Sequence, residues 1–289
     1  MSSTTSQGYR IETKLLTLDI AIEKLDNLYI HEEIIPEKKR ELVNKMPSDG
    51  VFLHPIIVDR NSLVVLDGMH RVAAAKEIKI KYIPVCLVDY GNPNIRIGCW
   101  YRMFEGLSEA SEAEVAFRRE GMSPTLQPYE VAYGLVEGRK ATTAAFSADW
   151  TLTAKNHAGS IKERYNTIKR IELRIQAEGH RMGYSTDRDA LARITAAEFS
   201  SGMMTPTVTK KEVVETALAG NVFSQKTTRH IIPARPMNVN VPISWLRGDI
   251  TLKKVNAQLR DHLASKRIEK LPPGQILDRR YDEELYIFK

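Results

Sequence analysis

The sequence predicts an α/β protein of two parts, on three observations. A short apolar run, Leu63-Val64-Val65-Leu66, stops at Asp67-Gly68 and opens directly into an Ala-rich stretch free of Gly and Pro. Before and after it, short strand-like and helix-like segments alternate. From Ser108 onward the character changes, and Ile161, Tyr165, Ile168, Ile171 and Ile175 recur at spacings of three and four, the stripe of an amphipathic helix.

In chain order, residues 18–24 alternate as a strand and close in a turn at 24–28. Tyr29-Ile30-His31-Glu32-Glu33 then forms a loop, and Pro36 opens a helix over 37–46, as Pro does at first-turn positions. Residues 55–59 and 62–66 make a hairpin across Arg60-Asn61. A helix over 69–78 follows, then strands at 84–88 and 95–101, the latter ending in Trp100-Tyr101. Residues 111–120 read as a helix stopped by Gly121, and 129–136 and 141–146 as two strands. The long helix spans 156–178. Thr209-Lys210-Lys211-Glu212 is a capping box that starts a helix over 210–218, ended by Gly220. A last helix at 252–268 and a last strand at 284–288 complete the chain.

Composition narrows the class. The chain has 289 residues, enough for one large or two small domains, with 43% apolar and 27% charged residues, as in ordinary globular proteins. No apolar run approaches the ~18 residues of a membrane span, and the polar start Met1-Ser2-Ser3-Thr4 lacks a signal-peptide plan. Two cysteines, Cys86 and Cys99, make neither a disulfide framework nor a metal cluster, which fits a reducing cytoplasm and no membrane partner. The net charge of +6 suits an anionic ligand or a nucleic acid without choosing between them.

The chemistry concentrates in three places. At Asp67-Gly68 a helix starts with unbonded amides, an anion site to which His70 and Arg71 add donors. Asp67 there is a helix cap, a base or a metal ligand; its position alone does not choose. Glu32 lies on a loop after a strand, either a solvated carboxylate or a general base. Lys226-Thr227-Thr228-Arg229-His230 is a run of donors suited to a carboxylate, or a polar surface loop. Gly134-x-x-x-Gly138-Arg139-Lys140 has the wrong spacing for a phosphate loop.

Val65-Leu66-Asp67-Gly68-Met69-His70-Arg71, preceded by His54-Pro55-Ile56-Ile57-Val58, resembles the ParB/sulfiredoxin-like domain. With Val222-Phe223-Ser224-Gln225-Lys226-Thr227-Thr228-Arg229-His230 downstream, it is similar to the free L-serine kinases. The resemblance runs from about residue 15 to the C-terminus and is weakest over 150–197. It implies a flexible tail at 1–14, a ParB-like nucleotide-binding domain over 15–105 and an α+β substrate domain over 106–289, with the active site in the cleft between them.

It also implies transfer of a phosphoryl group from ADP or ATP, with Mg²⁺, to the hydroxyl of free L-serine. Glu32 matches the family's catalytic glutamate, and Asp67 assists it or positions Mg²⁺. Gly68, Met69, His70 and Arg71, with Arg229, would hold nucleotide phosphates; Trp100, Lys226, Thr228 and His230 would contact the amino acid. Met69 departs from the His of many members and from the catalytic Cys of sulfiredoxins. Two alternatives stand beside this: a kinase for threonine or another small hydroxylated metabolite, and a non-catalytic ParB-like DNA-binding regulator. The second lacks a helix-turn-helix after the first domain and any role for the Lys226–His230 run, so the expected partners are small molecules and no specific nucleic acid. Oligomeric state is not legible in the sequence.

Overall fold

The computed structural model describes residues 8–155 and 159–289. By contacts the chain forms two units. One contains residues through Arg96 with Val213–Val222 and His230–Lys289; the other contains Ile97–Glu212 and Phe223–Arg229. The first unit therefore takes in the C-terminal sixty residues, which a single cut near residue 105 does not convey.

In the first unit a five-stranded sheet has the order Tyr9–Glu12, Thr17–Lys24, Tyr82–Val88, Ile56–Asp59, Val65–Asp67. Neighbours are antiparallel except Ile56–Asp59, which runs parallel to Tyr82–Val88 through the crossover helix Met69–Glu77. Its middle strands are apolar on both faces, with Ile20, Ile56, Ile57, Val58, Ile83 and Val85 fully buried, as strands covered on both sides must be. The last sixty residues join this unit through a specific contact. Asn256, on the helix Leu252–Ala264, accepts from Ile22 N–H at 2.8 Å and donates to Ile22 O at 2.9 Å. A buried amide that meets both backbone groups of one residue fixes where the helix docks. A three-stranded sheet follows, Ala234–Met237 parallel to Glu284–Phe288 and Ile268–Leu271 antiparallel to it.

The second unit is an antiparallel six-stranded sheet in the order Arg181–Thr186, Trp100–Glu105, Ser201–Met204, Thr143–Phe146, Thr151–Lys155, Ser123–Leu126. Tyr101, Met103, Phe146 and Met204 form its core with Ala132 and Val136. The helix Ile161–Ala177 buries Ile161, Tyr165, Ile168, Ile171 and Ile175, the stripe read from the sequence. Ser160 caps it in a reciprocal box with Glu163. The expected start at 156 lies outside the described residues. Its three arginines are engaged locally: Arg170 and Arg174 pair with Glu120 at 2.7 and 3.0 Å, and Arg164 donates to Ala141 O.

Four expectations are corrected. Residues 129–136 are not a strand but the helix Tyr129–Glu137, with Ala132 and Val136 inside and Val131 and Tyr133 outside. The period is four, and the alternation of bulky side chains concealed it. The Gly134–Lys140 segment is thus the end of a helix, and Arg139 is paired with Glu212 at 2.6 Å. Part of the expected N-terminal tail is the strand Tyr9–Glu12; the first seven residues lie outside the described ones. The last helix ends at Ala264, because Ile268–Leu271 is drawn into pairing with Glu284–Phe288. The strand expected at 95–101 is two, Arg96–Gly98 and Trp100–Glu105, so the Trp-Tyr pair begins a strand rather than ending one.

Candidate functional site

In the first unit the site is built on the turn after Val65–Asp67. Gly68 has φ +100°, and a Cβ there would lie 2.5 Å from Ile56 Cγ2 and 2.8 Å from Arg71 Nη2. Only glycine lets the strand stop and the helix start within one residue. The first helical bond is Val72 N–H to Gly68 O, at 3.0 Å, so the amides of Met69, His70 and Arg71 precede the ladder.

Asp67 sits between two guanidiniums. Its Oδ2 accepts from Arg235 Nη1 at 2.5 Å and from Arg71 Nη2 at 3.1 Å. Arg235 Nε also donates to Glu283 Oε1 at 2.9 Å, which continues the charge chain. Loss of water at the turn pushes the Asp67 carboxyl up, but Arg235 and then Arg71 outweigh it and hold the group well below the usual carboxylate range. Such a carboxylate orients cations and is a poor proton acceptor. Of the two chemical roles left open for Asp67, base and metal ligand, the geometry weakens the first.

Arg71 is equally committed. Its Nη1 donates to His54 O at 2.6 Å and Pro55 O at 3.2 Å, which ties the helix start to the segment that leads into the strand Ile56–Asp59. His54 Nδ1 accepts from Asn238 N–H at 3.0 Å. Burial, and then the Arg71 charge, push this imidazole down to about 4, so it is neutral at physiological pH. His70 Nε2 accepts from Ile35 N–H at 3.1 Å, which anchors the loop after Glu32 to this helix. That nitrogen is an acceptor, so the proton donor expected at His70 is not at Nε2.

His31 and Glu32 follow Tyr29, whose backbone pairs along the Val64 strand. Both are buried, Glu32 at 7% exposure. Burial, and then His230, hold His31 well below the usual imidazole range, against a hydrogen bond at Val65. The rings of His31 and His230 meet edge to face at 5.2 Å, and Tyr90 OH shares a hydrogen bond with His230 Nε2 at 2.7 Å. His230 is thus set beside the segment that bears Glu32.

In the second unit Lys226 Nζ lies over the Trp100 ring, 4.5 Å from its centroid, and 5.8 Å from that of Tyr184. Trp100 Nε1 donates to Thr228 O at 3.1 Å, so the indole and the Lys226–Thr228 turn are locked together. Arg229 Nη2 reaches Asp187 Oδ1 at 3.2 Å. The structure therefore gathers Asp67, Gly68, Met69, His70 and Arg71 at one turn, sets His31, the chain neighbour of Glu32, against His230, and gathers Trp100, Lys226 and Thr228. Arg229 is engaged by Asp187.

Sequence reasoning missed Arg235, Glu283, Tyr90, Tyr184 and Arg102. Arg235 and Arg102 had one signal, a lone charge inside a short apolar run: Ala234-Arg235-Pro236-Met237 and Tyr101-Arg102-Met103-Phe104. Buried strand charges demand partners. Tyr90 and Tyr184 had none.

No family model matches the chain. Among curated proteins, an ATP-dependent L-serine kinase of Staphylothermus marinus is 30% identical over 233 residues, 77% of this chain and 89% of its own. An ADP-dependent L-serine kinase of Thermococcus kodakarensis is 24% identical over 250 residues, 82% of this chain and 96% of its own. Among solved structures, a free serine kinase variant in complex with AMP superposes with a TM-score of 0.68 at 22% identity, covering 82% of this chain and 97% of that one. That likeness concerns the fold. Among the described residues no helix is long and apolar enough to cross a membrane.

Proposed function

This chain belongs to the L-serine kinase family, and on that premise we propose that it transfers a phosphoryl group from ADP or ATP to free L-serine. The products are O-phospho-L-serine and AMP or ADP. The serine hydroxyl oxygen attacks the terminal phosphorus while the bond to the bridging oxygen breaks, and the hydroxyl proton passes to Glu32. A carboxylate accepts such a proton late, as the new bond forms.

The observation that carries the nucleotide half is the Asp67-Gly68 turn. Early helix amides there, with Arg71 and Arg235 nearby, supply the donors and positive charge that a polyphosphate requires. Asp67 keeps the two guanidiniums aimed. Gly68 lets the helix start directly after the strand, against Ile56 and Arg71, and Met69 and His70 contribute main-chain N–H groups. Arg229, bound to Asp187, is a weaker candidate for a phosphate contact.

Mg²⁺ fits as an ion brought by the nucleotide. Among the described residues no three His, Cys, Asp or Glu side chains cluster to cage a metal, and Asp67 already faces two cations. Mg²⁺ held by phosphate oxygens and water with few protein ligands is its ordinary mode. It would offset the negative charge on the transferred group.

The amino acid's carboxylate goes to Lys226, with Thr228 and His230 on the remaining polar groups and Trp100 as an apolar wall. Each polar handle of a small zwitterion needs a partner, or its desolvation costs more than binding returns. The test is purified protein with Mg²⁺ and L-serine, given ATP or ADP in parallel, with phosphoserine and the spent nucleotide quantified by mass spectrometry. Phosphoserine from either donor supports the reading. A kcat/KM for threonine well above that for serine would keep the kinase and replace the acceptor.

A further inference from the structure

In the second unit one side chain links the Trp100 strand to the Lys226 turn and is wholly buried. Arg102 has no exposed surface. Its Nε donates to Glu172 Oε1 at 2.5 Å, its Nη1 to Trp100 O at 2.6 Å and Lys226 O at 3.1 Å, and its Nη2 to Gln225 O at 3.4 Å. Beside it, Tyr165 OH donates to Pro206 O at 2.6 Å and Thr227 O at 3.3 Å. Three consecutive carbonyls, those of 225, 226 and 227, are thus held from inside the unit by two side chains.

The turn they hold is strained. Lys226 has φ +60°, a left-handed conformation that a long side chain rarely adopts and that persists only where the surroundings impose it. Thr227 Oγ1 donates to Ser224 O at 2.8 Å and closes the turn. The product of this arrangement is the position of one ammonium, 4.5 Å above the Trp100 ring. A buried ion pair is a weak device for stability, since apolar residues of similar volume often serve as well. The planar guanidinium does something such residues cannot: it spans three carbonyls on two segments at fixed angles.

We propose that Arg102, oriented by Glu172, is a positioning residue for amino-acid recognition, acting through the Lys226 backbone. It sets the height and direction of the Lys226 ammonium against Trp100, and thereby the site for the acceptor's carboxylate. This rests on the reading that Lys226 binds the amino acid, and the experiment separates the two.

Serine and nucleotide KM, kcat and melting temperature are measured for Arg102→Lys, for the double variant Arg102→Met with Glu172→Met, for Lys226→Ala, and for Lys226→Ala combined with Arg102→Lys. Arg102→Lys keeps a cation beside Glu172 but cannot fork to the carbonyls, so it reports the positioning role if the double variant does not fold. The expected result is a serine KM raised roughly ten- to hundredfold in Arg102→Lys, the scale of a misplaced contact, with the nucleotide KM within about twofold. The same substitution adds little in the Lys226→Ala background, because the two share one route. A purely structural role would instead move the melting temperature, both KM values and kcat together, and that pattern overturns the proposal. If Lys226→Ala raises the serine KM and folded Arg102→Lys does not, the proposal fails alone. If Lys226→Ala leaves serine kinetics unaltered, the amino-acid pocket fails and the proposal with it.

Discussion

Replacing Gly68 with alanine tests whether the strand-to-helix turn is built on backbone geometry. Two costs follow from the geometry of the turn. At φ +100° an L-residue carries about 1–2 kcal/mol of backbone strain. The new Cβ also lies 2.5 Å from Ile56 Cγ2 and 2.8 Å from Arg71 Nη2. Ile56 is fully buried in a sheet strand and β-branched, so its methyl has little room to turn aside. Overpacking of this kind adds about 1–3 kcal/mol. The sum, about 2–5 kcal/mol, is a large share of the ~5–15 kcal/mol typical of a folded domain. Relief by displacement of Arg71 would break its bonds to Asp67 and His54 O, so nucleotide affinity should fall as well. Urea titration gives the first quantity and calorimetric titration with nucleotide the second. An alanine variant within about 0.5 kcal/mol of the parent and with unchanged nucleotide affinity would refute the argument.

Other expectations follow from the same geometry. Glu32→Gln should lower kcat by about 10²–10⁴-fold with nucleotide affinity largely kept, measured by single-turnover kinetics and calorimetry; near-parental kcat would remove Glu32 from the chemistry. Arg71→Ala should weaken nucleotide binding more than serine binding, each titrated separately; an unchanged nucleotide Kd would place the phosphates elsewhere. His54 makes stability depend on pH. Its imidazole lies at about 4 when folded against 6.5 ordinarily, so between those values the unfolded chain holds the extra proton and stability drains away as pH falls from 6.5 to 4. The full gap corresponds to about 3 kcal/mol, reduced to about 1–2 by partial exposure of the ring. Denaturant midpoints across that window should lose this slope in His54→Asn.

What could be read from the sequence was local. The helix over 210–218 was legible because Thr209 and Glu212 cap it reciprocally within four residues. The Asp67-Gly68 turn was legible because an apolar run, a glycine and an Ala-rich stretch are contiguous. The helix Tyr129–Glu137 was not, since bulky residues at 129, 131, 133 and 135 imitate a strand while small Ala132 does the burying. The partners of the site were further from view. Arg235 lies 168 residues from the Asp67 it binds, and Lys226 lies 124 from the Arg102 that holds its carbonyl. No periodicity connects such pairs; only folding does. The role of Asp67 illustrates the consequence. Its place at a strand end suits a base, a metal ligand or a cap alike, and only folding brings Arg71 and Arg235 to it.

In the proposed reaction the hydroxyl oxygen of free L-serine becomes the bridging oxygen of the product. The most direct measurement supplies L-serine labelled with ¹⁸O in its hydroxyl, together with Mg²⁺ and ATP or ADP, and observes the phosphoserine by ³¹P NMR. Phosphoserine should form and keep the label in the bridge between carbon and phosphorus, visible as an isotope shift. Phosphoserine with the label lost, or nucleotide consumed with no phosphoserine from either donor, would contradict that reaction.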